Sequence, residues 1–436
     1  MNKPRGKMTA AEVEAILQTV ERKLDRVGIE TQPEVASRIL KLVQDPNSQL
    51  RDYAAVIRTD HAICGRLLKL ANSAFFAQRE PVTSIERACV LLGTTRLRTL
   101  TLGFFLARAA GGAGDRDVSR QVWTQSVLRA CLAQSLASRL APEARVEAFV
   151  IGLMLDAGIP LLHKMEGDAV LEAHRPGVTP LAAYKSELTT LAYTHVDVVA
   201  ALLAKWRFPK TLSMPIQWHH VAPGEAKRAD LILRLHRIAY YAGAVSVDPR
   251  TAQPITLGRS ISVKRSEDGG VGEAAHQRDA MAEEAAAAKK LGLERAAIDR
   301  LVADAVKEYQ AVCDVFGEVA DRLDGPEALA AMVHSRLAEV MDEQMMRQNE
   351  APESGAAERR SFDVVGSRVE IIHEPGHGAV AYLLDAKGVR ISSCRFDPIA
   401  ETAHSICFAL GIDLEDEHKS DPVVIGLDQH IKSLAA

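Results

Sequence analysis

Aromatic residues make up only 5% of this 436-residue chain, with 3 Trp, 7 Tyr and 10 Phe. That scarcity excludes broad stacking platforms for single-stranded nucleic acid. Cysteine is also sparse. Cys64, Cys89, Cys131, Cys313, Cys394 and Cys407 are scattered, and no two form a C-x-x-C pair. This excludes a disulfide scaffold and a cysteine zinc cluster. The cysteines sit among apolar neighbours and predict small core residues in a reducing compartment. Charge of one sign is lacking too: 53 basic and 57 acidic side chains leave a net charge of −4. The chain as a whole is therefore neither a nucleic-acid coat nor a polybasic membrane binder. The longest apolar stretch, Ala148 to Leu162, is broken by Asp156 and Pro160 and predicts no bilayer span. Charged residues interrupt the stretch after the basic N-terminus, so no signal peptide is expected there. A cytoplasmic protein without a membrane anchor is expected.

What is present is an ordinary globular mixture, 47% hydrophobic and 25% charged, long enough for two to four domains of roughly 100–200 residues each. Through the first 240 residues apolar side chains recur at helical spacing. Ile63, Leu67, Leu70 and Ala71 share one face, as do Ile85, Ala88, Cys89 and Leu92, and Trp123, Val127, Ala130 and Cys131. Polar breaks such as Asp45-Pro46-Asn47-Ser48 separate the runs. The pattern predicts a mainly α fold, a multi-helix bundle over 1–245. Residues 246–272, with two prolines, several glycines and mixed charge, predict a loop or insertion. Residues 273–349 return to Ala-, Glu- and Lys-rich helix and predict an extension completing or flanking the bundle. Residues 350–360 (EAPESGAAERR) predict a linker. From 361 to 436 the period changes. Val369–Ile372, Ala379–Leu384 and Val389–Phe396 predict three strands joined by Glu-Pro-Gly-His-Gly and Asp-Ala-Lys-Gly turns. Asp397-Pro398 then predicts the cap and first turn of a helix carrying Ile399, Ala403, Ile406, Cys407 and Leu410. A β-meander with one helix across it makes a small C-terminal α+β module.

Several segments of the first 240 residues, taken in order, resemble the HDOD family, the HD-related output domain. They are DHAICGRLLKLANSAFF (60–76), VTSIERACVLLGTTRLRTLTL (82–102), VWTQSVLRACLAQSLA (122–137), FVIGLMLDAGIPLL (149–162) and HVDVVAALLAKWRFPKTLSMPIQWHH (195–220). LGLERAAIDRLVADA (291–305) resembles the helix such proteins carry after the core. His61, where proline is usual, and Ile29-Glu30, where Leu-Pro is usual, depart from the pattern. The resemblance implies an HD-like helical bundle and a place in bacterial signal transduction.

HD-superfamily hydrolases hold divalent ions with converging imidazoles and carboxylates and leave a position open for water. On the resemblance, the histidine of the His-Asp pair is Leu155 here, while Asp156 remains. Gln125-Ser126 stands where the first histidine would lie, and Tyr240 where the last aspartate would lie. His195, His219 and His220 survive. With Ser126, Leu155 and Tyr240 in ligand positions, no metal and no cofactor are expected at this vestigial pocket. Asp156 is then expected to cap or pair with a neighbouring helix, with His195 and His219 as hydrogen-bonded core residues. A direct Asp156–His195 hydrogen bond suits that role. The function this implies is a non-catalytic output or adaptor module that binds a signalling partner or a small ligand. The rival is a divergent metal-dependent HD phosphohydrolase acting on nucleotides or phosphoesters.

Two other features carry chemistry. Arg96 and Arg98, with Arg108, Arg116 and Arg120 beyond, offer a basic face for a protein partner or an anion such as a nucleotide or cyclic dinucleotide. The simpler account is a solvated helix face. His373-Glu374-Pro375-Gly376-His377 matches H-E-x-x-H letter for letter. That zinc chemistry needs His373 and His377 one turn apart on a helix. Pro-Gly between them and strands on both sides predict a turn instead.

Overall fold

A computed structural model of the chain describes residues 5, 8, 10–26, 38, 42, 45, 47–59, 61–72, 80–93, 97, 116–175, 177–205, 208–226, 230–246, 295–316, 323, 325–349, 358–374, 378–414, 418 and 421–434. Among these residues the helices are α1 (Ala10–Arg26), α2 (Leu50–Ile57), α3 (His61–Ala71), α4 (Arg116–Leu140), α5 (Arg145–Met154), α6 (Ile159–Glu166), α7 (Asp168–Ala173), α8 (Pro180–Thr190), α9 (His195–Lys205), α10 (Lys210–Gln217), α11 (Leu231–Ala244), α12 (Arg295–Phe316), α13 (Pro326–Asn349), α14 (Ala403–Leu410) and α15 (Pro422–Ser433). The strands are β1 (Glu225–Ala226), β2 (Glu358–Val364), β3 (Ser367–Glu374), β4 (Gly378–Leu384) and β5 (Arg390–Phe396). The fold is mainly α, with a small antiparallel sheet near its C-terminal end.

The centre of the bundle is α4. Trp123, Val127, Leu128, Ala130 and Cys131 are almost wholly buried, and the helix packs on α5, α11 and α12. Small residues make the contact with α5 close. A Cβ at Gly152 would run into the backbone of Arg129 and Ala130. One apolar core runs from α1 through α13, so the helices after residue 295 share the core of those before 245. The stretch Pro142–Glu166 is, by length and hydropathy, longer and more apolar than a bilayer span requires. It is a 3-10 turn (Pro142–Ala144) followed by α5 and α6, and 83% of its most apolar window is buried inside the bundle. Local signals set several helix starts. The Thr179 hydroxyl accepts from the Ala182 N–H before Pro180 in the first turn, and Asp230 accepts from the Leu233 N–H at 2.8 Å.

The C-terminal sheet runs β1-β5-β4-β3-β2, antiparallel throughout. Its inner face, with Val364, Val369, Ile371, Ala381 and Cys394, packs on α14 and α15 through Ile406, Cys407, Leu410 and Leu427. The sequence signals located β3, β4 and β5 but not β2, whose first residues, Glu358 to Arg360, fall inside the stretch expected to be linker. Strong charge at Glu358, Arg359, Arg360 and Asp363 hides the period-2 pattern there. The helix expected from Asp397 starts instead at Ala403. Thr402 and Ser405 form a reciprocal capping box that fixes this start, and Asp397 holds a turn by accepting from the Ile399 N–H at 3.0 Å. Ile399 is left exposed. A second helix, α15, was not foreseen. It opens on Asp421-Pro422, a cap and first-turn pair of the kind expected at Asp397.

Candidate functional site

The chain turns sharply between α5 and α6, and Asp156 sits in that turn. Gly158 allows the turn to pass beneath the start of α9, because a Cβ there would overlap the His195 carbonyl. His195 is the first residue of α9, and His219 and His220 follow the end of α10. These three elements bring Asp156, His195, His219 and His220 together, all buried, with one donor atom of each within 4.8 Å of the others.

Each group has a definite partner. Asp156 accepts from the guanidinium of Arg129, a residue of α4 that is only 2% exposed. The Arg129 Nε–H donates to the Val245 carbonyl at 2.8 Å. The His195 Nδ1–H donates to Glu187 on α8 at 2.7 Å, and Glu187 also accepts from the His195 backbone N–H at 2.9 Å. The other oxygen of Glu187 lies 2.5 Å from His174 Nε2. The His219 Nδ1–H donates to the Ile216 carbonyl at 2.7 Å, which turns Nε2 toward Asp156 at 3.5 Å. His195 Nε2 and His220 Nε2 are 3.2 Å apart, and Tyr184 stacks on the His220 ring at 4.5 Å.

The direct Asp156–His195 hydrogen bond does not form. His195 Nε2 lies 3.9 Å from Asp156 Oδ1 and closer, 3.2 Å, to His220 Nε2, while Arg129 engages the other oxygen of Asp156 and Glu187 engages Nδ1 of His195. Neither Arg129 nor Glu187 was singled out from sequence. Arg129 did leave a signal, as the one charged residue between Arg120 and Arg139 in an otherwise uncharged run of α4. Such a residue is buried only with a partner.

The electrostatics follow from this pairing. Burial opposes ionisation of Asp156, but Arg129 together with His219 and His195 holds its pKa well below the usual range. Burial likewise opposes the charged form of Glu187, yet His195 and His174 hold it down at about 2. At His195 burial disfavours the imidazolium, and the Glu187 carboxylate outweighs that penalty and raises the pKa. Burial lowers the pKa of His219 despite Asp156. Burial, with His219 and His195 adding to it, lowers His220 well below the ordinary value. With His195 protonated and His219 and His220 neutral, the two carboxylates would face one guanidinium and one imidazolium, a balanced set of charges. In that state the His195 Nε2–H donates to His220 Nε2.

The substituted positions contribute hydrocarbon or neutral groups. Leu155 is wholly buried and reaches toward Gly243 on α11, beside the His219 ring. The Ser126 hydroxyl is buried with no hydrogen-bond partner among the described residues. Tyr240, 7% exposed, packs edge-on against Tyr241. One carboxylate and three imidazoles could surround a single ion of the kind imidazole prefers. The second contacts, Glu187 on His195 and the Ile216 carbonyl on His219, even fix those rings as metal-binding histidines are fixed. The charge does not fit. The guanidinium of Arg129, already paired with the Asp156 carboxylate, opposes a dication at the same place. The donor set is one carboxylate and three imidazoles, with Ser126, Leu155 and Tyr240 at the positions where the resemblance expects further ligands.

Beside the cluster lies a cavity of about 110 Å³ lined by Gln125, Arg129, Asp156, His174, His195 and His220, with Arg175 among the other lining residues. Arg96, Arg98 and Arg108 lie outside the described residues, as does His377 and nearly all of the expected loop at 246–272. His373 and Glu374 are the last residues of β3, paired with Ala379 and Gly378 of β4. The H-E-x-x-H string therefore begins on a strand, and the helix its zinc chemistry requires is absent at His373.

The family model of the HDOD domain matches residues 29–222. An uncharacterized protein of Treponema pallidum (strain Nichols) is 25% identical over 201 residues, which is 44% of this chain and 38% of the length of that protein. This chain therefore spans well under half of the curated relative it matches. Among solved structures, an HDOD domain protein with unknown function from Geobacter sulfurreducens is 17% identical, covers 76% of this chain and 98% of its own, and has a TM-score of 0.37. A Shewanella amazonensis SB2B protein provisionally named a metal-dependent phosphohydrolase is 18% identical over 70% of this chain and 99% of its own, with a TM-score of 0.40. The MmoQ response regulator of Methylococcus capsulatus str. Bath is 26% identical over 48% of this chain and 82% of its own, with a TM-score of 0.27.

Proposed function

We propose, from the match of residues 29–222 to the HDOD domain family, that the chain is a non-catalytic signal-transduction module whose HD-type pocket recognises a small polar ligand without hydrolysing it. The observation that carries this reading is the buried Arg129–Asp156 pair. The one carboxylate retained at the pocket is neutralised by a fixed cation of the protein itself. A carboxylate so occupied neither draws in a dication nor acts as a base toward water.

The pocket still offers directed polar groups. Gln125, His174 and His220 line it together with the outer parts of Arg129 and Arg175. A ligand bearing an anionic group and a hydrogen-bond donor would find complementary partners there. Its signal would reach the C-terminal module through residues 218–224. Trp218 stacks near His404 at 5.9 Å, and His236 donates to the Trp218 carbonyl while its ring lies 5.0 Å from Phe408. A ligand that prefers one placement of His220 would shift how this segment sits against α14.

The hydrolase reading retains one observation in its favour, the convergence of Asp156 with three histidines. A single experiment separates the two. Purified full-length chain is supplied in turn with Mn²⁺, Mg²⁺, Ni²⁺ and Zn²⁺ and assayed on p-nitrophenyl phosphate, bis-p-nitrophenyl phosphate and nucleotides. Thermal shift is then read with the same nucleotides and with cyclic dinucleotides. The module reading expects no turnover with any ion and a raised melting temperature with at least one ligand. Metal-dependent turnover that vanishes in Asp156→Ala would replace it with the hydrolase.

A further inference from the structure

The sheet has two edges, and the chain covers one of them itself. β1 pairs with β5 through Glu225–Ser393 and Ala226–Ser392. The opposite edge is β2, ERRSFDV, which pairs only with β3 among the described residues. Its seven residues leave a full row of backbone donors and acceptors on the outer side. Charged side chains on an edge strand usually guard it against pairing. Here their order does the reverse.

We propose that β2 is a self-association edge, on which a second copy of this chain pairs antiparallel about Ser361. In that register Ser361 faces Ser361 of the second copy, and every residue of the strand has a partner. Arg359 falls opposite Asp363 and, by the two-fold symmetry, Asp363 opposite Arg359. Both side chains are exposed, and they project from the sheet face away from α14 and α15. On the helix-covered face Arg360 falls opposite Phe362. Within one chain these two already meet as cation and ring at 5.6 Å, beside His430. Shifting the pairing centre by one residue either way removes both Arg359–Asp363 pairs. The strand is thus complementary to itself in one full-length register, and the product is a continuous sheet across two chains.

Sedimentation velocity on the full-length chain over a concentration series tests this. The wild type is expected to shift from monomer to dimer. Arg359→Asp and Asp363→Arg each place like charges opposite one another twice, and each is expected to weaken the dimer by about tenfold or more. An equimolar mixture of the two variants is expected to regain it, because only the heterodimer restores both opposite-charge pairs. The double variant R359D/D363R should dimerise like the wild type, which also reports that the exposed substitutions leave the fold intact. A chain that stays monomeric throughout would overturn the proposal. So would a dimer indifferent to both single reversals, or a mixture that fails to reassociate.

Discussion

Gly158 lies so close beneath His195 that any Cβ at 158 would overlap the His195 carbonyl oxygen. The turn after α5 and the first residue of α9 are in backbone contact, and this sets where the Asp156 carboxylate stands relative to the imidazole. Gly158→Ala must therefore push α9 away or distort the turn. Forcing one methyl into a packed site costs about 1–3 kcal/mol, and urea unfolding should show a loss of that size. The same variant should lose most of any ligand-induced thermal shift, since His195 lines the pocket. An unchanged denaturation midpoint would mean that the contact is not close in solution.

Arg129 carries the charge balance of the pocket. Replacing it with Met leaves Asp156 buried without its cation, and breaking a buried pair from one side costs about 3–5 kcal/mol. Arg129→Met is therefore expected to be strongly destabilised near neutral pH. The double variant R129M/D156L removes both charges and should recover most of that loss. A second outcome follows from the same geometry. Without the guanidinium, Asp156 and the three imidazoles lose the charge that opposes a dication, so Arg129→Met should gain stoichiometric binding of Zn²⁺ or Ni²⁺ by calorimetry where the wild type shows none. Equal binding by both proteins would show that Arg129 does not control the site.

The pH dependence has a sign on each side of neutrality. Glu187 and Asp156 have depressed pKa values in the fold, so their stabilisation is present above about pH 4 and is lost as pH falls through the folded values. His236 works in the same direction. Burial lowers it to about 4, so between roughly pH 6.5 and 4 the unfolded chain takes up a proton that the native chain refuses. His195 is the opposite case. Its raised pKa gives stabilisation that is complete below about pH 6.5 and is lost as pH rises through the folded value. Urea midpoints measured from pH 6 to 9 should fall on the alkaline side. In Glu187→Gln the partner that raises His195 is gone, and the alkaline fall should shrink. An alkaline limb identical in both proteins would remove His195 as its source.

Much of this was legible in the residues because the period of the apolar positions survives packing. The stripe from Trp123 to Cys131 predicted α4, and alternation predicted β3 and β4 within a residue or two. The convergence of Asp156 with His195, His219 and His220 followed from family segments in order, not from spacing, since 64 positions separate Asp156 from His220. What sequence could not supply was the pairing inside the pocket. Arg129 and Glu187 come from helices whose own patterns explain them without reference to the cluster, and only the packing of α4 and α8 brings them to it. β2 was missed for the related reason that an edge strand need not alternate apolar with polar. Its register is held by β3 rather than by its own burial.

The last prediction concerns how the C-terminal module is held. Gly224 precedes β1, and a Cβ there would overlap the Ala409 carbonyl of α14 and crowd the Ser393 carbonyl of β5. Besides the Trp218–His404 and His236–Phe408 ring contacts and the exposed Lys210–Asp413 pair, the bundle and the sheet meet through this backbone approach, through the two-residue ladder of β1 on β5, and through the Lys185–Asp397 ion pair at 2.5 Å. The ion pair is partly exposed and contributes little. The backbone contact cannot be relieved by turning a side chain. Gly224→Ala should therefore loosen the module while leaving the bundle folded. Limited trypsin digestion is expected to release a fragment beginning near Arg359 or Arg360 faster than from the wild type, with helical circular dichroism nearly unchanged. Lys185→Ala should leave the cleavage rate within about twofold of wild type, as expected for a surface pair. If Gly224→Ala were cleaved no faster, the approach of α14 to residue 224 would not be what holds the module, and transmission from the His219–His220 segment would need another route.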